Sequence, residues 1–318
     1  MEKIDVAVQS YKKPESLIYT LLSLKKHCGE HIDTIYINDD CSGDEVISCY
    51  KDEEFLNLMK PIKIKIRVNK KKGGYKHTLI TKEVFKKRNI IQKLQLLLSA
   101  FVKRAKFYSS TEEIRYQWAI NNTDKKYLFI IHDDIKFNDD VAKIYINELN
   151  KDSNMAIVGD FAGSHRCPYG PCGTKECNPQ RIISGYRPSK DWPVTGSYQS
   201  IFHLILGRKK RNCRINEWCC MINVEIAKKI GNQYGVYFGN VEFGGDTAVY
   251  WFEKILKKGY HFNDPIKIEI RKLFYQHCWQ GHAGHAVWVK QDMNAEKAVY
   301  QKDYIKECIE KEFNYKMK

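Results

Sequence analysis

Short apolar segments alternate with helical segments through the first 140 residues of the chain. Four apolar segments have the length and composition of strands, and these are residues 4–9, 34–38, 62–68 and 127–131. A helix is predicted from Pro14, because proline suits a first helical turn and Leu17, Leu21 and Leu24 follow at helical spacing. Strands that alternate with helices predict an α/β fold in which a mostly parallel sheet is sandwiched by helices.

Five more segments have helical periodicity, at about residues 81–107, 112–121, 223–230, 247–258 and 295–313. The last of them predicts a C-terminal helix. Residues 160–213 are rich in Gly, Pro, Cys, Ser and Arg, and we expect long loops there. The chain therefore divides into a sheet-bearing half at residues 1–155, with a basic helical insertion at about 75–110, and a loop-rich half at residues 156–318. We expect the two halves to form one continuous domain.

The composition is that of a folded protein with a large core. Of 318 residues, 43% are hydrophobic, which excludes a disordered or low-complexity chain. No run approaches roughly 18 consecutive apolar residues, so we expect no transmembrane helix. The first residues lack the features of a secretion signal, and eleven cysteines are an odd number for a disulfide framework. These features predict a cytoplasmic protein with reduced thiols.

Positive charge is concentrated in residues 60–106, which we define as the basic block. The block holds sixteen Lys or Arg residues and one acidic residue, Glu83, while the net charge of the whole chain is +15. A local excess of this kind indicates that one surface meets an anionic partner. The candidates are a membrane headgroup layer, a nucleic acid and a phosphorylated substrate.

The basic block contains a predicted amphipathic helix at about residues 82–106. Its apolar positions are Ile90, Ile91, Leu94, Leu97, Leu98, Phe101 and Ala105. Such a helix can lie in an anionic membrane surface, and the chain would then be peripheral on the inner face of a membrane. Alternatively, the helix packs on the core and has a charged exterior. We expect no nucleic-acid partner, because the aromatic residues of the block mostly fit the apolar side instead of alternating with the bases.

Polar residues gather where the predicted strands end. The clusters are at residues 9–11, 38–44, 69–77 and 132–134. Ligands of mostly parallel sheets bind beyond the carboxyl ends of the strands, so we expect these clusters to surround one binding site.

Two adjacent acids, Asp133 and Asp134, follow the fourth predicted strand. Neighbouring carboxylates repel each other unless a divalent cation or hydrogen-bond donors relieve the repulsion. Mg²⁺ or Mn²⁺ takes one or two protein carboxylates and fills its remaining positions with phosphate oxygens and water. The pair therefore predicts a metal–diphosphate site, and the alternative is a solvated turn that caps the next helix.

Three motifs at the strand ends resemble those of the GT-A glycosyltransferases, and of the large inverting family 2 in particular. They are Gln9-Ser10-Tyr11 with Pro14, Asn38-Asp39-Asp40-Cys41-Ser42, and His132-Asp133-Asp134. The resemblance covers residues 3–140, and residues 215–260 more loosely. It implies a GT-A fold and a glycosyltransferase of polysaccharide biosynthesis. Such an enzyme would move a sugar from a nucleotide diphosphate, with a UDP-sugar as first expectation, to a hydroxyl of a glycan or lipid-linked glycan.

The resemblance implies a nucleotide pocket built from the first three strand ends. Ser10 and Tyr11 would line the pocket, and Asp39 or Asp40 would accept a hydrogen bond from the base or the ribose. Asn69 stands where the family often has an asparagine after its third strand, so it is assigned to the same pocket.

The resemblance also implies a metal and diphosphate site. Asp133 would lie near the ribose, and Asp134 would bind Mn²⁺ or Mg²⁺, which stabilises the leaving diphosphate as a Lewis acid. His132 replaces the first aspartate of the family's motif and is a further candidate ligand. Arg115 lies about where the family has an arginine that would meet the diphosphate.

Transfer to a hydroxyl also needs a general base that takes the acceptor's proton. In the family this is an Asp or Glu at the start of a helix in the second half. Residues 242–247 precede such a helix, and we assign Asp246 as the base, with Glu242 second. The alternative for Asp246 is an ordinary helix N-cap, a position that aspartate favours.

Three histidines lie within residues 277–285, among glycines and a tryptophan. GT-A enzymes often carry a C-terminal histidine of this kind, so His282 or His277 is expected to bind the cation or a phosphate. The alternative is a polar loop with incidental histidines.

A group of cysteines in the second half has a spacing unlike that of zinc sites, which normally contain pairs of cysteines with two residues between them. The group is Cys167, Cys172 and Cys177, with His165 nearby. We expect reduced cysteines in a loop that binds the acceptor.

Two other functions stay open at this point. A nucleotidyltransferase shares the sheet and the metal carboxylates but attacks phosphorus, so it needs no base in the second half. A nucleic-acid-binding protein would use the basic block, although it would need stacking aromatic residues.

Overall fold

A computed structural model describes residues 2–73, 77–103, 105–162, 214–241, 247–267, 269–278, 289–290 and 299–317. Within these ranges the strands are β1 (Ile4–Ser10), β2 (Ile32–Asp39), β3 (Lys63–Val68), β4 (Thr78–Ile80), β5 (Ala105–Phe107), β6 (Tyr127–His132), β7 (Ile135–Phe137), β8 (Met155–Ala162), β9 (Arg214–Asn223), β10 (His261–Asn263), β11 (Tyr275–His277), β12 (Val289–Lys290) and β13 (Val299–Tyr300). The helices are α1 (Pro14–Cys28), α2 (Asp44–Tyr50), α3 (Glu53–Met59), α4 (Lys82–Lys86), α5 (Ile90–Phe101), α6 (Gln117–Asn122), α7 (Val141–Leu149), α8 (Val224–Tyr234), α9 (Val249–Lys257), α10 (Arg271–Phe274) and α11 (Lys302–Phe313).

Seven of the strands in these ranges form a central sheet in the order β10-β8-β9-β6-β1-β2-β3. Neighbouring strands are parallel except at β9, which runs antiparallel to both β6 and β8. The α/β fold with a mostly parallel sheet, expected from the sequence, is confirmed. The strands β8 and β9 lie outside the four segments that the sequence pattern predicts as strands.

Successive side chains of a strand point to opposite faces of the sheet. The central strands are apolar at successive positions, so both faces are apolar and helices cover both. In β1, Val6 and Val8 pack in a layer with α1, α2, α3, α7 and α11, whereas Ala7 packs in a layer with α6, α8 and α9. In β6, Phe129 and Ile130 likewise face opposite layers. With both faces covered, the carboxyl ends of the parallel strands are left as the open end of the sheet.

The described part of the basic insertion contains two helices and two short strands instead of the single helix predicted at 81–107. The first helix, α4, ends at Lys86, and α5 begins after Asn89, whose side chain forms a capping box with Gln92. The chain then turns through Lys103, which has a φ of 57°, into β5, which pairs with β4. Asn89 is a strong N-cap residue, so it starts a new helix within a continuous apolar pattern.

Two other helices are shorter than predicted. Arg115 and Tyr116 divide the segment at 112–121 into a 3₁₀ turn and α6. Tyr116 has a φ of 61°, which cannot continue a right-handed helix. The C-terminal helix begins at Lys302 instead of residue 295, after the short strand β13.

The described residues include seven cysteines, and each of them is a free thiol. Among the same residues, no helix combines the length and the apolar character needed to cross a membrane.

A side chain has no room at Gly239. A Cβ there would lie 1.9 Å from the carbonyl oxygen of Arg115, with which Gly239 pairs in an isolated antiparallel bridge. We predict that Gly239→Ala lowers the free energy of unfolding by about 1–3 kcal/mol, because the backbone must shift. Gly29→Ala is the matched control, since its nearest neighbour is the flexible side chain of Lys25 at 3.3 Å. Urea denaturation of both variants measures the difference, and equal effects would contradict the prediction.

Candidate metal centre

The two adjacent acids lie at the carboxyl end of β6, in the middle of the sheet. Asp133 and Asp134 are 6% and 3% exposed, and the next element is the strand β7. They are therefore not a solvated turn that caps a helix. Lys13, which lies between β1 and α1, bridges the pair with its Nζ 3.0 Å from an oxygen of each carboxylate.

Lys13 supplies positive charge that two buried carboxylates need. Burial alone would lower the pKa of Lys13, but the attraction of Asp133 and Asp134 outweighs burial and raises it. Burial by itself raises the pKa of Asp134, but attraction to His277 and Lys13 holds it below its ordinary value. Lys13 and Asp134 are therefore both ionised at neutral pH.

Hydrogen bonds fix Asp133 in place. Ser10 Oγ, at the end of β1, donates to Asp133 Oδ2 at 2.9 Å and shares a hydrogen bond of 3.0 Å with the hydroxyl of Tyr50. Ser16 Oγ, in the first turn of α1, donates to the carbonyl oxygen of Asp133. Ser10, which the resemblance assigns to the nucleotide pocket, is thus buried and bonded to the acidic pair.

Three candidate metal ligands meet at the other oxygen of Asp134. Asp134 Oδ1 lies 3.3 Å from His277 Nε2 and 3.9 Å from His132 Nδ1, and the two nitrogens are 3.4 Å apart. A point equidistant from the three atoms is ~2.1 Å from each, which is the usual length of a metal–ligand bond to nitrogen or oxygen. We define these three side chains as the candidate metal centre.

The chemistry of the candidate metal centre favours a cation. Asp134 Oδ1 is buried and accepts no hydrogen bond from the described residues, although buried carboxylate oxygens normally have a partner. Burial lowers the pKa of His132 more than the carboxylate of Asp134 raises it, so the ring stays neutral and keeps a lone pair for a metal. A bound cation would satisfy the carboxylate oxygen and both ring nitrogens.

The strand β11 brings His277 to the acidic pair. It pairs antiparallel with β7, so that His277 lies opposite Ile135, the residue directly after Asp134. The backbone N–H of Cys278 donates to the carbonyl oxygen of Asp134 at 2.8 Å. Of the two histidines that the sequence left open, His277 is therefore in the cluster, and His282 lies outside the described residues.

The ends of β2 and β3 form a second polar group beside β1. Asp40 Oδ1 accepts hydrogen bonds from the backbone N–H of Gly73 at 2.7 Å and from Asn69 Nδ2 at 3.2 Å, which ties the two strand ends together. Asp39 accepts two hydrogen bonds from Ser42 and so closes the turn after β2. Both carboxylates therefore shape this end of the sheet.

Tyr11 lies just after β1, at the same end of the sheet. Its side chain is partly exposed, and Lys72 Nζ is 3.8 Å from the centre of its ring. An aromatic ring and a cation thus lie next to the polar group formed by β2 and β3.

Arg115 connects the metal centre to the second half of the chain. Its Nη1 donates to Thr247 Oγ1 at 3.0 Å, and its charge is near enough to His132 to oppose protonation of that ring. Thr247 also pairs with Val241 in an isolated antiparallel bridge. The two residues that flank 242–246 are therefore held next to Arg115.

The two candidate bases, Asp246 and Glu242, lie outside the described residues, as do Cys167, Cys172, Cys177 and His165. The helix that follows the bases, α9, has Ala248 as its N-cap.

Sequence reasoning missed Lys13. Nothing in its own neighbourhood distinguishes it from Lys12, since both stand between a strand end and a proline-initiated helix. The sequence feature that could have indicated Lys13 is the acidic pair, because buried carboxylates need positive charge from the protein or from a metal. Parallel strands end together, so a lysine directly after β1 was a candidate partner for acids directly after β6.

No family model matches the chain, and no curated protein matches it in sequence. Several solved structures have a similar backbone structure. One is a mannosyltransferase from Pyrobaculum calidifontis in complex with GDP-Man and Mn²⁺. It is 10% identical, and the match covers 83% of this chain and 54% of that one with a TM-score of 0.45. Residues 1–349 of TarS from S. aureus are 12% identical, with 80% and 54% covered and a TM-score of 0.41.

A third structure is core-mannan synthase A from Aspergillus fumigatus in an Mn/GDP form. It is 10% identical, with 87% of this chain and 75% of that one covered and a TM-score of 0.42. The chain spans about half the length of the first two structures. At these identities and TM-scores the likenesses carry no argument about activity, which depends on the geometry of the site.

We predict that the chain binds Mn²⁺ through Asp134 and His277. Asp134→Asn and His277→Gln weaken one ligand each, so each should lower the affinity for Mn²⁺ by at least about tenfold. Isothermal titration calorimetry measures the change. His261→Gln is the matched control, because His261 is exposed on the edge strand β10 and bonded to Asp152. Affinities that are the same in all three variants and the unaltered chain would disprove the site.

Lys13→Met is predicted to have the opposite effect. Lys13 places a positive charge 3.0 Å from Asp134 Oδ2, the oxygen that does not face the histidines, and that charge opposes the binding of a cation. Its removal should raise the affinity for Mn²⁺ about fourfold or more in the same titration. Weaker binding in this variant would show that Lys13 is needed to orient the carboxylate and would contradict the electrostatic argument.

Proposed function

We propose that the chain is a metal-dependent glycosyltransferase that moves a sugar from a nucleotide diphosphate donor to a hydroxyl of a glycan or lipid-linked glycan. One observation carries the proposal: the cluster of Asp134, His132 and His277, of which only His132 is partly exposed, lies beside Lys13 at the carboxyl ends of the parallel strands. Ligands of such sheets bind at this end. A divalent cation held there by a carboxylate can take phosphate oxygens as its other ligands.

Positive groups surround the proposed position of the diphosphate. Lys13 acts electrostatically on Asp134, and Arg115 acts on His132. A bound divalent cation would supply Lewis acidity for the charge that develops on the leaving diphosphate. Lys13 and Arg115 would add fixed positive charge, which stabilises that charge without rearrangement during the reaction.

Among divalent cations we favour Mn²⁺ over Mg²⁺. The cluster offers two imidazole nitrogens and one carboxylate oxygen. Mg²⁺ prefers oxygen ligands and gives up its water reluctantly. Mn²⁺ also favours carboxylate and water, but it belongs to the first-row series of divalent metals that bind nitrogen ligands, in which it is the weakest binder. Mn²⁺ can take both kinds of ligand and still bind phosphate oxygens, so it fits this set of donors.

The nucleotide of the donor would occupy the ends of β1, β2 and β3. Tyr11 offers a partly exposed ring on which a base can stack. Asp40 Oδ1 already accepts two hydrogen bonds and supports this end of the sheet. Asp39 accepts one hydrogen bond at each carboxylate oxygen, which leaves a lone pair on each for a further bond from a ribose or a base. Of the candidate donors we favour a UDP-sugar, and a GDP-sugar is the next candidate.

Asp246 is the proposed general base, with Glu242 second, and the transfer would invert the anomeric centre. Two observations support Asp246. Ala248 is the N-cap residue of α9, and the hydroxyl of Thr247 accepts a hydrogen bond from Arg115. The carboxylate would take the proton of the acceptor hydroxyl while the hydroxyl oxygen attacks the sugar. The bond between the sugar and the diphosphate breaks in the same step.

Asp246→Asn is expected to lower the rate of transfer by about 10²–10⁴-fold, because an amide cannot take the proton. The assay contains Mn²⁺, a UDP- or GDP-sugar and a panel of simple glycan acceptors. Binding of the donor should persist, because the candidate metal centre and the ends of β1, β2 and β3 do not include Asp246. A thermal-shift titration with the donor measures this binding. Glu242→Gln is the matched control and should retain transfer. The reverse pattern would assign the base to Glu242.

The products distinguish glycosyl transfer from nucleotidyl transfer. Attack on the sugar carbon releases a nucleoside diphosphate, whereas attack on phosphorus releases a sugar 1-phosphate. We expect the nucleoside diphosphate, and we expect its release to stop in EDTA. Formation of a sugar 1-phosphate, or turnover that persists in EDTA, would refute the proposal.

A further inference from the structure

The helix α5 turns its most apolar side away from the described part of the chain. Seven side chains on this helix and directly after it have exposed fractions between 45% and 85%. They are Ile90, Ile91, Leu94, Leu97, Leu98, Phe101 and Val102, and we define them as the α5 apolar face. The alternative in which this helix packs its apolar side on the core is wrong for these residues.

The α5 apolar face is one continuous surface. At ~100° per residue, its seven positions fall within an arc of ~140° around the helix axis. Leu96 and Ala100 lie outside the arc and attach α5 to a small apolar cluster that includes β4 and α4. Gln92 Nε2 also donates to the hydroxyl of Tyr250 at 3.0 Å. The helix is therefore fastened by its less apolar side, and a contiguous apolar surface of this kind marks an interaction site.

Exposed lysines lie around the α5 apolar face in the sequence. They are Lys82, Lys86 and Lys87 before the helix, and Lys103 and Lys106 after it. The basic block contains a single acidic residue, Glu83, so little negative charge opposes them. Arg88 is different, because it is buried and donates to the carbonyl oxygen of Gly235.

We propose that the α5 apolar face inserts into the surface of an anionic lipid bilayer. An amphipathic helix binds such a surface when its apolar side chains enter the boundary of the acyl chains and its bases meet anionic headgroups. The α5 segment supplies both groups. With 12 residues the helix is too short to cross the bilayer, so it lies in the plane of the interface.

A second copy of the chain fits this face less well. In a two-fold dimer the same patch lies on both subunits. The lysines around one α5 apolar face would then meet the lysines around the other, and like charges across an interface are unfavourable. An anionic bilayer supplies the opposite charge.

A nucleic acid also fits this face less well. Proteins that bind single strands offer several aromatic rings on which bases stack. The α5 apolar face has one aromatic ring, that of Phe101, among aliphatic side chains. Aliphatic side chains match acyl chains better than they match bases.

Flotation of the full chain with lipid vesicles tests the proposal. Vesicles of phosphatidylcholine and phosphatidylserine at about 7:3 carry the anionic surface, and vesicles of phosphatidylcholine alone lack it. We expect the chain to float with the first and not with the second, and we expect added salt to weaken the binding. Neither a donor nor a metal ion is needed, so this result is independent of the proposed transfer reaction.

Matched variants separate the α5 apolar face from the rest of the surface. Leu98→Ser should weaken vesicle binding about tenfold, because one apolar side chain no longer enters the bilayer. Leu273→Ser is the control and should leave binding unchanged, since Leu273 on α10 is 66% exposed and Leu98 is 65% exposed.

A second pair of variants tests the lysines at equal net charge. Lys86→Glu combined with Lys103→Glu should abolish most of the binding to anionic vesicles. Lys267→Glu combined with Lys311→Glu makes the same change in net charge at exposed positions outside the basic block, and it should have a much smaller effect.

Several results would overturn the proposal. One is the absence of flotation with anionic vesicles, and another is an equal loss in Leu98→Ser and Leu273→Ser. A dimer that Leu98→Ser dissociates, without vesicle binding, would assign the face to a contact between copies. A lower unfolding temperature of Leu98→Ser, without vesicle binding, would assign it to residues of this chain outside the described ranges. Release of the chain from vesicles by a short oligonucleotide would assign the face to a nucleic acid.

Discussion

Two adjacent carboxylates stay ionised in a protein interior only if positive charge lies against them, and the site depends on this constraint. Asp133 and Asp134 directly follow the central strand β6 and are almost fully buried. Lys13 reaches them from the neighbouring strand end, and the hydrogen bond from Ser10 comes from the same segment. The acids thereby hold the start of α1 against the sheet. Asp134 Oδ1 faces two imidazoles instead, so one carboxylate contributes both to the stability of the fold and to the proposed chemistry.

The sequence predicts the parallel half of the sheet because each strand there is short, apolar and followed by polar residues. It predicts the acidic pair for the same reason, since two acids directly after a buried strand need a counter-charge. It does not distinguish His277 from His282, because the choice depends on the pairing of β11 with β7. Lys13 is missed on similar grounds, as its role depends on a contact between the ends of β1 and β6. Local sequence patterns predict helices and strands, whereas the roles of His277 and Lys13 depend on contacts between elements that are distant in the sequence.

The segment around α5 shows what periodicity leaves open. The apolar pattern predicts a helix and one apolar side, but it does not determine what that side contacts. Asn89 divides the pattern into two helices, and the second is fastened to α9 through Gln92 and Tyr250. The residue two positions before α9, Thr247, is bonded to Arg115.

The pairing of β11 with β7 also has a consequence for the order in which the site is completed during synthesis. His277 follows His132 by 145 residues, so the ribosome adds it long after β1, β2, β3 and β6 have been made. A growing chain can already neutralise its acids with Lys13, yet it lacks one of the three ligands. Chains that stop before β11 would therefore bind the ion more weakly than finished molecules do.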